Sequence, residues 1–89
     1  MAQLTAGVAY NPKMGDGSKG VIMVDYSSGV SLYGSLDGTT FIKIKTYTGD
    51  ALEEVVLAPT MAFSVDTDDK ITSLSSTATS TRVFIDETR

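Results

Sequence analysis

Residues 29–49, GVSLYGSLDGTTFIKIKTYTG, decide the fold class of this chain. The segment reads as two strands, Val30–Ser35 and Thr40–Tyr47, joined by a tight turn through Leu36-Asp37-Gly38-Thr39. Asp-Gly between two runs rich in β-branched and aromatic residues is a strong hairpin signal, because the glycine can take the positive φ the turn requires. Alternation along the first strand sets Val30, Leu32 and Gly34 opposite Ser31, Tyr33 and Ser35. Along the second it sets Ile42 and Ile44 opposite Phe41, Lys43, Lys45 and Tyr47. The simplest assignment buries Val30, Leu32, Ile42 and Ile44, and turns Tyr33, Phe41, Tyr47 and the two lysines outward.

Working outward, Val21–Tyr26 (VIMVDY) is a short apolar run that predicts a buried strand. The residues before it, 11–20, are dense in glycine and other turn formers and predict a loop. A short first strand is expected around Gln3–Tyr10. The chain therefore divides into a Gly-rich N-terminal arm, residues 1–20, and a β-sandwich domain, residues 21–89. After the hairpin, Asp50 and Glu53 have the spacing of a capping box for one helical turn, followed by a strand from Val55 to Ala58 that Pro59 stops. Met61–Val65 alternates, with Met61, Phe63 and Val65 on the core side. Asp66-Thr67-Asp68-Asp69-Lys70 then reads as a second hairpin turn, returning through Ile71–Ser75. The last strand, Thr81–Asp86, sets Val83 and Ile85 against Arg82, Phe84 and Asp86, and is expected to tie the C-terminus into a sheet. Six or seven short strands at this spacing predict an all-β domain, a small antiparallel β-sandwich or barrel. Its expected core is Val21, Met23, Val30, Leu32, Ile42, Ile44, Val56, Met61, Phe63, Val65, Val83 and Ile85.

Composition narrows the chemistry. Across 89 residues there is no cysteine and no histidine, so disulfides, thiolate metal sites and the commonest general base are all missing. Adjacent Glu53 and Glu54 would point to opposite faces of a strand and make a poor acid/base pair. Gly15 and Gly20 have the outer spacing of a phosphate-binding loop, but Val21-Ile22 stands where Lys-Ser/Thr is needed. Asp66, Asp68 and Asp69 suggest calcium, yet the glycine and the terminal glutamate of an EF-hand loop are absent. We therefore expect no enzyme, no cofactor and no metal site. A net charge of −4 with scattered basic residues argues against nucleic acid. No apolar run has the length of a membrane-spanning helix. Met1-Ala2-Gln3-Leu4 lacks the basic and apolar regions of a signal peptide.

The hairpin also carries a resemblance. Gly34-Ser35-Leu36-Asp37-Gly38-Thr39-Thr40-Phe41 resembles the Gly-Ser-x-Asp-Gly-x-x-Phe/Trp hairpin of small β-sandwich virion proteins of tailed bacteriophages, among them decoration, neck and fibre proteins. It is similar also to a hairpin of discoidin-like sandwiches. The ending Ser80-Thr81-Arg82-Val83-Phe84-Ile85 resembles the late strand that pairs back into such folds. The resemblance implies a structural protein of the virion, made in a host cytoplasm: a capsid decoration (cement) or other small head or neck subunit. Its partners would be other virion proteins, such as the major capsid protein, and further copies of itself. Tyr10 and Met14 in the arm, with Tyr33, Phe41 and Tyr47 on the hairpin, are the candidate contacts, since surplus aromatics anchor interfaces. A carbohydrate- or ligand-binding sandwich module, stacking sugars on exposed rings, is the alternative.

Overall fold

Alternation of apolar and polar residues over five- to seven-residue runs, punctuated by Gly, Pro, Ser and Asp, leaves this chain one economical way to bury its side chains: two sheets face to face. A computed structural model describes residues 2–13, 19–65, 68–71, 74 and 79–88. Among these residues there are eight strands and no helix: β1 (Ala2–Leu4), β2 (Lys19–Asp25), β3 (Val30–Ser35), β4 (Phe41–Tyr47), β5 (Ala51–Val56), β6 (Thr60–Ser64), β7 (Lys70–Ile71) and β8 (Arg82–Thr88). The first sheet has the order β1-β8-β2-β5 and the second β6-β3-β4-β7. Every pair is antiparallel. The fold is an all-β sandwich, as the hairpin and the strand spacing predict.

The core lies between the sheets. Ile22 and Val24 of β2, Val83 and Ile85 of β8, and Leu4 of β1 meet Val30 and Leu32 of β3, Met61 and Phe63 of β6, Tyr47 of β4, and Leu57. The last strand behaves as predicted, with Val83 and Ile85 buried, and it sits inside the first sheet between β1 and β2. The predicted reversal at Asp37-Gly38 also forms. Gly38 has φ 80°, and one carboxylate oxygen of Asp37 accepts the N–H of Thr39 at 2.9 Å, the N–H of Thr40 at 2.8 Å and the Ser35 hydroxyl at 2.9 Å. The turn thus satisfies its own backbone donors, leaving no role for a ligand in fixing it.

The facing of the hairpin differs from the prediction. The β3–β4 register shifts between Leu32, opposite Lys45, and Tyr33, opposite Lys43, so Ile44 is an extra residue on β4. A bulge of this kind inverts alternation from one side of it to the other. Phe41 and Lys43 share the face of Tyr33, whereas Lys45 and Tyr47 share the face of Leu32 and Val30. Tyr33, Phe41 and Tyr47 are consequently buried, while Ile42 and Ile44 are 50% and 48% exposed. The second sheet is also covered on its far side, where Tyr33, Phe41, Ala62 and Ile71 form a separate cluster with Leu74 against it. This second layer is why β3 is buried along its whole length.

Three other expectations are corrected. Residues 51–56 form a strand instead of a helical turn, because β2 offers them an unbroken six-residue ladder, and the Asp50 carboxylate accepts the N–H of Tyr26 at 2.8 Å in place of capping a helix. The second hairpin does not form. β6 pairs with β3 and β7 with β4, at opposite edges of the second sheet; Asp66, Thr67 and most of the predicted return strand lie outside the described residues. Finally, Val21, Met23 and Val56 are not core residues: only one face of β2 and β5 meets the other sheet, and these side chains lie on the opposite face.

The N-terminal segment joins the two sheets. After β1 pairs with β8, the Gly7 N–H donates to the carbonyl of Phe63 at 2.9 Å, and Tyr10 and Met61 exchange two backbone hydrogen bonds of 2.7 Å. Residues 7–10 thereby cover the outer edge of β6.

Candidate functional site

The aromatic residues singled out from the sequence are used by the fold itself. Tyr33 is fully enclosed and its hydroxyl donates to the carbonyl of Asp68 at 2.7 Å. Phe41 packs beside it. Tyr47 faces the inter-sheet core, where its hydroxyl donates to Glu53 at 3.0 Å and the Lys45 ammonium lies 5.4 Å from its ring centre. Tyr10 is half-buried, donating to the Glu87 carboxylate at 2.5 Å. Met14 lies outside the described residues. The lysines of the hairpin are likewise engaged, Lys43 with Asp69 at 2.9 Å and Lys45 with Glu53 at 2.8 Å. The outward amphipathic patch expected on the hairpin is therefore absent.

Acidic and hydroxyl side chains among the described residues are engaged in the same way. No three acidic residues come together in a way that could hold a metal ion among them; Asp68 and Asp69 are exposed, and Asp66 is outside the described residues. The serines and threonines at the end of the sandwich serve as a latch. The Thr81 hydroxyl accepts the N–H groups of Ser27 and Ser28 at 2.9 and 2.7 Å and donates to the Ser28 carbonyl at 2.7 Å. A hydroxyl so committed joins the β2–β3 turn to the start of β8 and is not a free nucleophile.

The outer face of the first sheet presents a row of apolar side chains to solvent. Strand register sets Phe84 of β8, Met23 of β2 and Leu52 of β5 in one row across three strands. Val21 lies at the centre of the next row and Val56 at the corner beyond it. Leu52 is 72% exposed, Val56 62% and Met23 37%, and shallow depressions between them are lined by Val21, Met23, Leu52 and Phe84. Charged pairs frame the apolar row. Arg82 binds Asp25, through Nε at 3.0 Å, and lies over the ring of Phe84, while Lys19 meets Glu54 at 3.4 Å. An apolar centre with a charged rim is the anatomy of a protein-binding surface. The signal was present in the sequence as the even spacing Leu52-x-Glu54-x-Val56 and as Val21 alternating with Ile22, masked by reading 21–24 as one buried run.

The hydrogen bonds around these groups give stability a definite pH dependence. The N–H groups of Thr40 and Thr39 and the Ser35 hydroxyl hold Asp37 well below the usual carboxylate range. Lys45, then Tyr47, lowers Glu53, and Lys43 lowers Asp69. Groups with depressed folded pKa values stabilise the fold above their unfolded values, near pH 4, and that contribution is lost as pH falls further. At the other end, hydrogen bonding to Glu87, followed by burial, pushes Tyr10 up to about 12, and burial followed by the bond to Glu53 raises Tyr47. Those contributions are intact below pH 10 and disappear as pH climbs through the raised values. Urea midpoints measured across pH should thus be flat between about pH 5 and 9 and fall on both sides; Asp37→Asn should flatten the acid limb.

Comparison with known proteins found no matching family model, no matching curated protein and no matching solved structure.

Proposed function

We propose that this chain is a non-enzymatic structural protein of a tailed-phage virion, a capsid decoration (cement) or other small head or neck subunit, working through protein–protein contacts. The observation that carries this reading is the exposed apolar face of the first sheet, with Leu52 and Val56 presented to solvent beside Met23. The phage context comes from the resemblance of residues 34–41 to virion hairpins. Such a subunit needs no chemical step; it acts by covering apolar surface on a neighbour, such as the major capsid protein, and so holding adjacent subunits together. A sugar-stacking module would need an exposed aromatic plane. All four tyrosines and three phenylalanines are buried or half-buried, which favours the first reading.

The test is immunogold labelling of particles released by the source cells, using antibody to this chain. Gold on the particle surface is expected, and the double variant Leu52→Lys, Val56→Lys should lose it. Because both positions face solvent, the variant should keep its unfolding free energy within roughly 0.5 kcal/mol of the parent. Absence of gold from the particles, or labelling that the variant leaves unchanged, overturns the reading.

A further inference from the structure

A sandwich of two open sheets has four edges, and among the described residues three of them are short or covered. β1 presents only three residues and β7 only two. The outer side of β6 is bonded to Tyr10 and Gly7. β5 is different. It runs six residues with an unbroken register against β2, and among the described residues no strand or bridge pairs with its other side. Protein edges are ordinarily blunted by charged side chains, proline or a bulge; the run Ala51-Leu52-Glu53-Glu54-Val55-Val56 has no lysine, proline or bulge, and its two charges are already engaged within the chain, Glu53 by Lys45 and Tyr47 and Glu54 by Lys19.

We propose that β5 pairs edge to edge with β5 of a second copy of this chain, antiparallel, about a two-fold axis at Glu54. Directly opposed residues in an antiparallel pair share a face, so this register sets Leu52 against Val56 of the second copy, and Val56 against its Leu52. Both apolar side chains, now facing solvent, gain a neighbour. Shifting the axis to Glu53 would oppose Leu52 to Glu54 and Val56 to Asp50 of the second copy, giving neither apolar side chain an apolar neighbour. At Glu54 the axis brings two Glu54 carboxylates together, and Lys19, 3.4 Å from Glu54 in each copy, offsets that like charge. Two identical edges thus complement each other in length and in apolar pattern.

The area sets the strength. A standard stable interface takes about 800 Å² from each partner, roughly a sixth of the 4921 Å² this chain exposes. One six-residue edge, about 20 Å long, covers less. Free copies therefore pair weakly, and the contact becomes effective where neighbours are held at high local concentration; in this respect the inference rests on the reading of the chain as an assembly subunit.

The absence of cysteine from the chain makes a direct test available. Opposed residues of an antiparallel pair lie about 5 Å apart, within disulfide reach. Glu54→Cys, oxidised with copper phenanthroline and run on a non-reducing gel, should form covalent dimer on the order of tenfold faster than a Leu36→Cys control at equal concentration. Glu54 and Leu36 are both exposed, and matching thermal melts establish that the variants fold. Adding Val56→Lys to Glu54→Cys should slow cross-linking to the control rate. The proposal is overturned if Glu54→Cys links no faster than Leu36→Cys, if Glu53→Cys links fastest, or if Glu54→Cys is found joined only to a different particle protein. Gold labelling of particles with failed cross-linking would remove this inference alone; rapid cross-linking without labelling would remove the virion reading instead.

Discussion

Replacing Tyr33 by alanine is expected to lower the unfolding free energy by about 3–5 kcal/mol. For a chain of 89 residues, total stability is on the order of 5–13 kcal/mol, so this one substitution removes a large share of it. Tyr33 is the largest side chain the fold encloses completely, and it lies outside the inter-sheet core, between the second sheet and residues packed on that sheet's far side. Removing the ring leaves Phe41, Ala62 and Ile71 around a void and the Asp68 carbonyl without the hydroxyl that binds it at 2.7 Å. Tyr33→Phe separates the two effects: it keeps the packing, loses one hydrogen bond, and should cost about 1–1.5 kcal/mol. Urea unfolding of the pair gives both numbers. A cost below about 1 kcal/mol for Tyr33→Ala would mean that the far-side layer does not hold the ring, since surface positions behave in that range.

That layer is the part of the molecule least legible from sequence. Local chemistry was readable wherever it acts alone. Asp37-Gly38 specifies its turn through one carboxylate and one positive φ, and Val83 and Ile85 alternate with Arg82, Phe84 and Asp86, so the turn and the burial of both side chains follow from the sequence. Where one element's facing depends on another, the pattern is ambiguous. Ile42-Lys43-Ile44-Lys45 alternates without interruption, and nothing within it announces that Ile44 is extra to the ladder. The bulge exists because Tyr33 and Tyr47 are both buried, on opposite sides of the second sheet. With the side-chain period of a strand equal to two, one extra residue is needed to bring Phe41 to the face of Tyr33 while Tyr47 keeps the face of Val30. Asp50 and Glu53 mislead in a related way. Capping-box spacing is a local preference worth about 1 kcal/mol, and a six-residue ladder to β2 outweighs it.

The facing of the first sheet is ambiguous in the sequence for the same reason, and the neighbours Ile22 and Met23 make the clearest test of it. Val21-Ile22-Met23-Val24 carries no polar residue to mark which side meets water, so a buried strand and a half-exposed one share the same text. The structure assigns Ile22 to the core between the sheets, with no exposure, and Met23 to the outer row with Leu52 and Phe84. Ile22→Ala should therefore cost about 2–5 kcal/mol in stability, the range for opening a cavity in a packed core. Met23→Ala should shift stability by no more than roughly 0.5–1 kcal/mol. In partner binding the order reverses. On the proposed reading of the chain as an assembly subunit, Met23→Ala removes the middle of the apolar row, the central position where binding hot spots concentrate, so particle association should fall at least several-fold while the protein stays folded. Ile22→Ala, measured at a temperature where it remains folded, should associate normally, because its side chain never reaches the surface. Stability loss from Met23→Ala matching that from Ile22→Ala would show the run to be buried on both faces, and the partner-binding surface would then have to be sought elsewhere on the sandwich.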